Sequence, residues 1–458
     1  MKSSRKDIHR NTHVLPRLRF EDQQLTSFAG LVLFQRLFES LDLRARLRSC
    51  FRHLDTTPIF GQATIVLLLV IHLLLGFRDL RHLRYYQDDP LVRRLLGLTK
   101  LPDVSTLSRC LSDLDETGVG RLHAVLRDIV LARLATLSLR RITLDFDGSV
   151  IGTGRFAEGT AVGFNRKKKG QRSYYPLFCT VAQTGQVLDV LHRSGNVHDS
   201  NGAQAFILHC IEQIRTALPG VTVEVRMDSA FFSEAIVGEL EQAGVEYTIS
   251  VPFERYAALK ALIDKRSRWQ RLDGLCDYFE SAWKPKSWSW RRRFVFVRQG
   301  VKVQHKEPVQ LDLFIPYEHG YAFKVVLTNK TITAAKAVAF HNGRGAQEGV
   351  FAELKSDNQM GYVPTRTWLG NRVYLLSALL AHNLARELQM ATKAPSRITG
   401  QKRPTLWAFE RLDTLRRSIL QRAGRLIRPQ GRLTLSVCAN EALQNKLLQY
   451  FDGAERAA

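Results

Sequence analysis

The chain has 458 residues, 45% hydrophobic and 24% charged, enough for sizeable cores in about two to four domains. Lys and Arg outnumber Asp and Glu 67 to 43, a formal charge of +24 spread along the whole chain, which points to a polyanionic partner: nucleic acid or an anionic membrane surface. The six cysteines, Cys50, Cys110, Cys179, Cys210, Cys276 and Cys438, include no CxxC pair and no Cys/His cluster of zinc spacing; they read as reduced cysteines of a cytosolic protein, mostly small core residues.

Residues 1–20 are polar and basic, an arm without the apolar centre of a secretion signal. From Leu25 to about Val130 the pattern is helical. Leu31, Leu33, Phe34, Leu37, Leu41 and Leu43 recur at roughly helical spacing, Ala63–Phe77 makes a second helix and Leu91–Leu98 a short third. The run Ile65–Leu75 is strongly apolar, yet too short to span a bilayer and interrupted by His72, so it reads as a buried helix and the membrane option falls away. Ser105 is a good N-cap for a helix carrying Arg109. A short helix, a turn and a capped helix with an exposed arginine resemble a helix-turn-helix; an ordinary helical bundle and a dimerisation region are the alternatives.

Residues 141–147 break the pattern. Ile142, Leu144 and Phe146 alternate with Thr143, Asp145 and Asp147, which is a strand. A Gly-rich loop with the basic run Arg166, Lys167, Lys168, Lys169 follows and reads as a solvated, phosphate-contacting loop. Strands are expected over Tyr174–Ala182, Gln186–His192, Val221–Met227 and Glu246–Val251, with helices over Asn201–Leu218 and Phe231–Ala243. That order is an α/β layer fold with a mixed sheet. Trp269, Trp283, Trp288 and Trp290 then sit among basic residues, and Phe294–Arg298, Val309–Ile315 and Tyr321–Leu327 look like strands of an all-β insertion. An amphipathic helix carrying Glu348 follows, then the long apolar helical stretch Pro364–Ala391, then a basic tail expected to be helical, with Arg411, Arg416, Arg417, Arg422, Arg425 and Arg428. The resulting division is 1–135, a helical DNA-binding or dimerisation region; 136–258, the first part of the core; 259–330, a β-rich insertion; 331–395, the last core helices; and 396–458, a basic helical C-terminal region.

Side chains alternate along a strand, so Asp145 and Asp147 share a face. Asp228 lies at the carboxyl end of another strand, where ligands of open α/β sheets gather. Glu348 shares a helix face with Arg344 and Lys355, and His341 joins that face if the helix begins early. Three carboxylates without Cys or His suit hard cations, Mg²⁺ or Mn²⁺. Two such ions about 3.5–4 Å apart activate a water or 3′-hydroxyl and stabilise the leaving oxygen of a phosphodiester. Each residue also has an ordinary structural reading: Asp147 as a turn aspartate before Gly148, Asp228 as a helix N-cap before Phe231, Glu348 as one of a set of surface charge pairs.

In order and context these residues resemble the DDE transposases of bacterial insertion sequences, in particular the group named for insertion sequence 1380 within the insertion-sequence-4-like transposases. The first motif is Asp147-Gly148-Ser149. The second is Arg226-Met227-Asp228-Ser229-Ala230-Phe231, with Ala230 in place of a glycine. The third is His341-x2-Arg344-x3-Glu348-x6-Lys355, with His341 in place of a tyrosine. Tyr175-Pro176-Leu177, Arg193-Ser194-Gly195-Asn196-Val197 and Leu380-Ala381-His382-Asn383-Leu384 match as well. The resemblance implies a ribonuclease-H-like catalytic core with an all-β insertion before the last catalytic helix, flanked by helical regions. It implies Asp147, Asp228 and Glu348 as ligands of two Mg²⁺ ions, with Mn²⁺ as substitute, and Arg344, Lys355 and His341 on phosphates at the transposon end. Asp145 and Glu353 are the alternate ligands; Glu353 lies about 140° around the helix from Glu348, away from Arg344 and Lys355. Trp288 and Trp290 share a strand face in this reading and could stack on an unpaired base, whereas Trp283 packs in the core. The implied partners are double-stranded DNA, as transposon ends and target, and a second copy of the chain in the DNA complex, without a membrane. The implied setting is the bacterial cytoplasm, at the nucleoid.

Overall fold

The computed structural model describes residues 15–54, 60–163, 165, 168–198, 201–300, 320–398 and 400–456. Expectations for the start of the basic arm, for Arg166 and Lys167, and for a strand over Val309–Ile315 lie outside the described residues. After a two-residue strand, β1 (Leu25–Thr26), come helices α1 (Leu31–Ser40), α2 (Leu43–Phe51), α3 (Gln62–Leu74), α4 (Pro90–Leu96), α5 (Val104–Ser112) and α6 (Glu116–Thr136). No described helix is long and apolar enough to cross a membrane.

The sheet region runs β2 (Arg141–Gly148), the short β3 (Ile151–Gly152), β4 (Ala161–Val162) and β5 (Arg172–Tyr174), then β6 (Leu177–Val181), β7 (Val187–Leu191), α7 (Ala203–Ala217), β8 (Thr222–Met227), α8 (Glu234–Gln242) and β9 (Glu246–Ser250). The expected insertion supplies α9 (Ala257–Asp264), β10 (Gln270–Arg271), β11 (Cys276–Trp283), β12 (Arg292–Gly300) and β13 (Tyr321–Thr328). Then follow α10 (Ala334–Asn342), α11 (Gly345–Ser356), α12 (Trp368–Thr392), α13 (Leu412–Leu415), β14 (Gly424–Ile427), β15 (Thr434–Val437) and α14 (Glu441–Arg456).

The main sheet has nine strands in the order β10-β11-β12-β13-β9-β8-β2-β6-β7. Within it β7-β6-β2-β8-β9 form the ribonuclease-H-like core: β2, β8 and β9 are parallel, β6 runs antiparallel beside β2, and β7 pairs antiparallel with β6 at the edge. The central parallel strands are buried along almost their whole length, as strands covered on both faces must be. The insertion joins this sheet rather than forming its own, because β13 pairs antiparallel with β9 through Val326–Ser250, Leu327–Ile249 and Thr328–Thr248.

Helix α12 is the spine against which α3, α6 and α14 pack. Its polar residues are not misplaced. The Asn383 side chain accepts from the Val187 N–H (2.9 Å) and donates to the Val187 C=O (2.7 Å), and His382 Nε2 lies 3.0 Å from the Gly185 C=O. They satisfy the backbone of edge strand β7 and its turn, which has no further strand to pair with.

Three local expectations change. Helix α5 begins one residue before Ser105, with Asp103 at the N-cap position. The connector 97–103 between α4 and α5 is longer than the ~3–4-residue turn of a helix-turn-helix. Moreover α5 packs on α3 and α12 through a buried Leu107, Cys110 and Leu111, so it is part of a helical bundle. The basic tail is only partly helical: β14 and β15 form a hairpin turned by Pro429 and by Gly431 at φ +78°, and β1 adds the third strand. Arg416 is no surface cation; it is buried, and its guanidinium donates to the Leu74 C=O (2.7 Å) and Leu73 C=O (2.8 Å) at the end of α3.

One buried ion pair ties the sheet to its surroundings. Arg226 on β8 is fully buried and grips Asp145 on β2 through Nε–Oδ1 at 2.5 Å and Nη2–Oδ2 at 2.7 Å. Its Nη1 donates to the Phe340 C=O (3.1 Å) and the Lys402 C=O (2.8 Å). Removing one partner of such a pair strands a buried charge. Arg226→Ala is therefore expected to lose about 3–5 kcal/mol of unfolding free energy in urea. A loss below ~1 kcal/mol would show that the pair does not hold the strands.

Candidate active site

Strands β2 and β8 are parallel and in register at Phe146–Met227, so the next residue on each, Asp147 and Asp228, stands at neighbouring carboxyl ends, with Asp147 still paired to β6. Asp147 Oδ1 accepts from the Gly148 N–H at 2.8 Å and Asp228 Oδ1 from the Ala230 N–H at 3.0 Å. The cap expected of Asp228 thus closes a short turn over Ser229–Phe231, while α8 starts later under its own cap, Ser233. Gly148 is required where it stands: a Cβ there would meet the Tyr175 ring at 2.6 Å. Burial, and then the neighbouring Asp228 charge, push the Asp147 carboxyl up to about 7 against the pull of Arg344.

Helix α11 docks beside these strand ends. Gln347 is buried and its Nε2 donates to the Asp145 C=O at 3.0 Å, while Arg344, just before the helix, places Nη1 3.0 Å from Asp147 Oδ2. Arg344, expected on a phosphate, is here the partner of Asp147 because it is the cation nearest to a buried carboxylate that needs one. Glu348 is one turn on, on the exposed face of α11, and Lys355 is exposed further along. The structure therefore brings Asp147, Asp228 and Arg344 together, with Glu348 exposed on α11. Among the described residues no three His, Cys, Asp or Glu side chains lie close enough to share a metal ion. The Asp147–Asp228 pair itself suits a hard divalent cation: two carboxylates with no sulfur, and an Asp147 carboxyl raised by burial and by the neighbouring Asp228 charge.

The two alternate ligands are structural. Asp145 is taken by Arg226. Glu353 is buried, paired with Arg386, and its Oε1 accepts from the Leu412 N–H at 3.2 Å. His341 is a correction. It lies in α10, not on the face of Glu348, 1% exposed, with Nε2 2.8 Å from Ser250 Oγ and Nδ1 3.0 Å from Thr248 Oγ1. Burial, with Lys324 and Arg344 nearby, holds its pKa well below the ordinary value, so it is a neutral core residue and offers no charge to a phosphate.

The tryptophans also separate. Trp288 and Trp290 lie in the loop between β11 and β12 rather than on one strand face. Trp288 is 6% exposed and stacks on Phe232 at 4.7 Å, so it cannot receive a base; Trp290 is 73% exposed. Trp283 packs edge-on against Phe294 and Tyr256, as a core residue should. Lys168 and Lys169 are exposed.

A cleft of about 1290 Å³ opens beside Asp228. Lys168 and Lys355, both expected on phosphates, line it, and so do Arg78, Arg155 and Arg255, which carry no motif. Only the tertiary fold brings these three together, since they come from the helical region, the loop after β3 and the turn before α9. Phe232, the ring in front of Trp288, lines the cleft too.

A family model described as transposase DDE domain group 1 matches residues 8–457. Among solved structures, the chain is similar to the piggyBac transposase synaptic complex with hairpin DNA, at 11% identity and TM-score 0.44 over 84% of this chain and 79% of that one. It is also similar to the Mos1 mariner paired-end complex with Mn, at 14% identity and TM-score 0.17 over 37% of this chain and 56% of that one. A Mos1 transposase paired-end complex with left transposon end matches at 13% identity and TM-score 0.18, over 37% and 57%. No curated protein sequence matches the chain.

Two measurements test the site. Asp147 keeps its proton in the folded protein to about pH 7, whereas the unfolded chain releases it near the model-peptide value of ~3.9. Its ionisation therefore opposes folding increasingly as pH rises between those values. Asp147→Asn is expected to gain about 2 kcal/mol of stability relative to the parent between pH 5.5 and pH 7.5 in metal-free buffer; a difference that does not change with pH would refute the raised carboxyl. In a parallel pair, Glu353→Gln should lose ~1–3 kcal/mol, because the Leu412 N–H and Arg386 lose their charged partner, whereas Glu348→Gln should stay within ~0.5 kcal/mol of the parent. Equal losses in urea unfolding would reverse the assignment of the two glutamates.

Proposed function

The chain belongs to the transposase DDE domain group 1 family, and from that premise we propose that it binds the terminal inverted repeats of its own element, cleaves the DNA there and joins the 3′-hydroxyl ends to target DNA. Within the family, the Asp147-Gly148-Ser149, Arg226–Phe231 and Arg344–Lys355 motifs support placement with the insertion-sequence-1380 group. The observation that carries the reading is the pairing of Asp147 and Asp228 at neighbouring carboxyl ends of parallel strands, beside a cleft lined by Arg and Lys.

In this reading Asp147 and Asp228 hold the divalent metal, with Glu348 as the third carboxylate from α11. Bound there, Mg²⁺ or Mn²⁺ would supply activation of a water or 3′-hydroxyl and stabilisation of the leaving oxygen. The chain's own part is placement. Gln347 anchors α11 to β2, Gly148 lets Tyr175 pack against the strand end, and the buried Arg226–Asp145 pair keeps β2 and β8 in register. Arg344 neutralises Asp147 and lies within reach of a phosphate that approaches the pair; Lys355 lines the cleft beyond. Holding two DNA ends for joining calls for at least a dimer on DNA.

Two facts favour a second reading, a DNA-binding relative that does not cut: the exposed position of Glu348 and the pairing of Arg344 with Asp147. A nuclease of the same fold without strand transfer would cut matched and scrambled ends alike.

The deciding experiment is cleavage of a labelled duplex carrying the element's ends, in Mg²⁺ against EDTA. The parent protein should nick at the end only with metal. Asp147→Ala, Asp228→Ala and Glu348→Gln should each lower the rate at least ~100-fold, the scale of losing a group that acts only in the transition state. Cleavage that survives Glu348→Gln removes Glu348 from the site. Binding without cleavage by the parent leaves the DNA-binding reading.

A further inference from the structure

We infer that the N-terminal helical region reaches into the active-site cleft through Arg78, and that Arg78, with Arg155 and Arg255, holds the phosphate backbone of the DNA strand presented to Asp228. The inference rests on the transposase reading and extends it to residues outside every motif.

Arg78, Arg155 and Arg255 are exposed and line the same cleft as Asp228. Among the described residues none of the three forms an ion pair. Some arginines outside the cleft do find carboxylates, among them Arg292 at Glu241, Arg298 at Asp277 and Arg403 at Glu224. Like charges gathered in one cleft repel unless a polyanion enters. At about 1290 Å³ the cleft also exceeds the ~300–1,000 Å³ of small-molecule pockets, as a polymer site should.

Arg78 is the best fixed of the three. It stands in the turn after α3, where its C=O accepts a hydrogen bond from the Tyr374 hydroxyl at 3.0 Å, from the spine helix α12. Its guanidinium lies over the Tyr362 ring at 5.2 Å, and Tyr362 lines the cleft as well. Tyr374 in turn packs edge-on against Tyr362 at 5.6 Å. A long cation normally gives up rotamer freedom when it grips a phosphate. Here the backbone anchor and the ring order the side chain before DNA arrives, and they leave the guanidinium's hydrogen-bond donors for phosphate oxygens.

A contact to phosphate carries no sequence information and contributes a counterion-release term. The test is binding of a labelled duplex of arbitrary sequence, followed by fluorescence anisotropy in EDTA over a series of salt concentrations. Arg78→Ala should lower the slope of log affinity against log salt by about one and weaken binding about five- to tenfold near 0.1 M salt. Arg78→Lys should keep most of the slope. Arg155→Ala with Arg255→Ala in one chain should lower it by about two, and these surface changes carry the test if Arg78→Ala unfolds by circular dichroism. Arg417→Ala, a cation outside the cleft, should leave the slope in place. Unchanged slopes in the Arg78 and Arg155/Arg255 variants, or an equal fall in Arg417→Ala, overturn the inference. Binding is read without metal and cleavage separately in Mg²⁺, so a parent chain that binds with an Arg78-dependent slope but never cuts in Mg²⁺ overturns the transposase reading and leaves this one standing; cleavage in Mg²⁺ with unchanged slopes does the reverse.

Discussion

The Arg226–Asp145 ion pair is the constraint on which the site depends. Each partner stands two residues before a candidate ligand: Asp145 before Asp147, Arg226 before Asp228. On an extended strand that spacing puts pair and ligand on one face. A slip of β2 against β8 would break the pair and separate the ligands in the same motion. The remaining guanidinium nitrogen binds the end of α10 and the C-terminal segment at Lys402, so the pair also sets where the chain turns into α11. Gly343 marks how tight that turn is: a Cβ there would meet the Lys402 C=O at 2.0 Å and Arg226 Nη1 at 2.1 Å.

The same sheet treats two carboxylates in opposite ways. Glu224 on β8 is fully buried, and burial would raise it; hydrogen bonds from Arg403 and Lys330 and their charges instead hold it down to about 2. Asp147 has Arg344 and the Gly148 N–H against burial and Asp228, and rises to about 7. In a chain of net charge +24 the scarcity of cations at Asp147 is not compositional. The fold spends Arg141, Lys330 and Arg403 on Glu224, a structural acid with no opening to solvent, and withholds them from the pair beside the cleft. Perturbed carboxylates collect where charge is brought in from outside, and the contrast singles out Asp147 on physical grounds as well as on motif.

Much of this was legible beforehand, for reasons that differ by element. Strand β2 showed itself by alternation, α12 by its apolar run, and Asp147 and Asp228 by standing at strand ends. The distinction between Glu348 and Glu353 followed from helix geometry, and the burial of Glu353 with Arg386 agrees with it. What failed was information that no local window holds. His341 has the spacing of a helix face, but the helix breaks at Gly343 and turns it inward to Thr248 and Ser250. Trp288 and Trp290 have strand spacing, but they sit on a loop, one behind Phe232 and one in solvent. The tail is arginine-rich like a surface helix, yet Arg416 closes the end of α3 and the Gly424–Val437 stretch pairs with β1. In each case a distant segment decides, and burial of a polar side chain is possible only because that segment brings the partner.

The cleft extends this point from packing to binding. Its cations come from segments far apart in the chain: Arg78 after α3, Arg155 and Lys168 between β3 and β5, Arg255 before α9, Lys355 near the end of α11. Apart from the run around Lys168, none of these segments alone forms a basic stripe dense enough to stand out in a chain that is basic throughout. They converge because α11 and α12 pack with the helical region in one core against β6 and β7, and the Arg226–Asp145 pair fixes the turn into α11. Electrostatic repulsion among them is then borne by the rigidity of the scaffold, and a phosphate backbone entering the cleft relieves it at every segment together. Such a site favours its ligand through preorganisation, since the fold and not the ligand has already ordered the cations. The helical region and the sheet share one hydrophobic core, in which residues of α1–α6 join Phe178, Val187 and Val190 of β6 and β7, so a single scaffold holds the cations of the cleft.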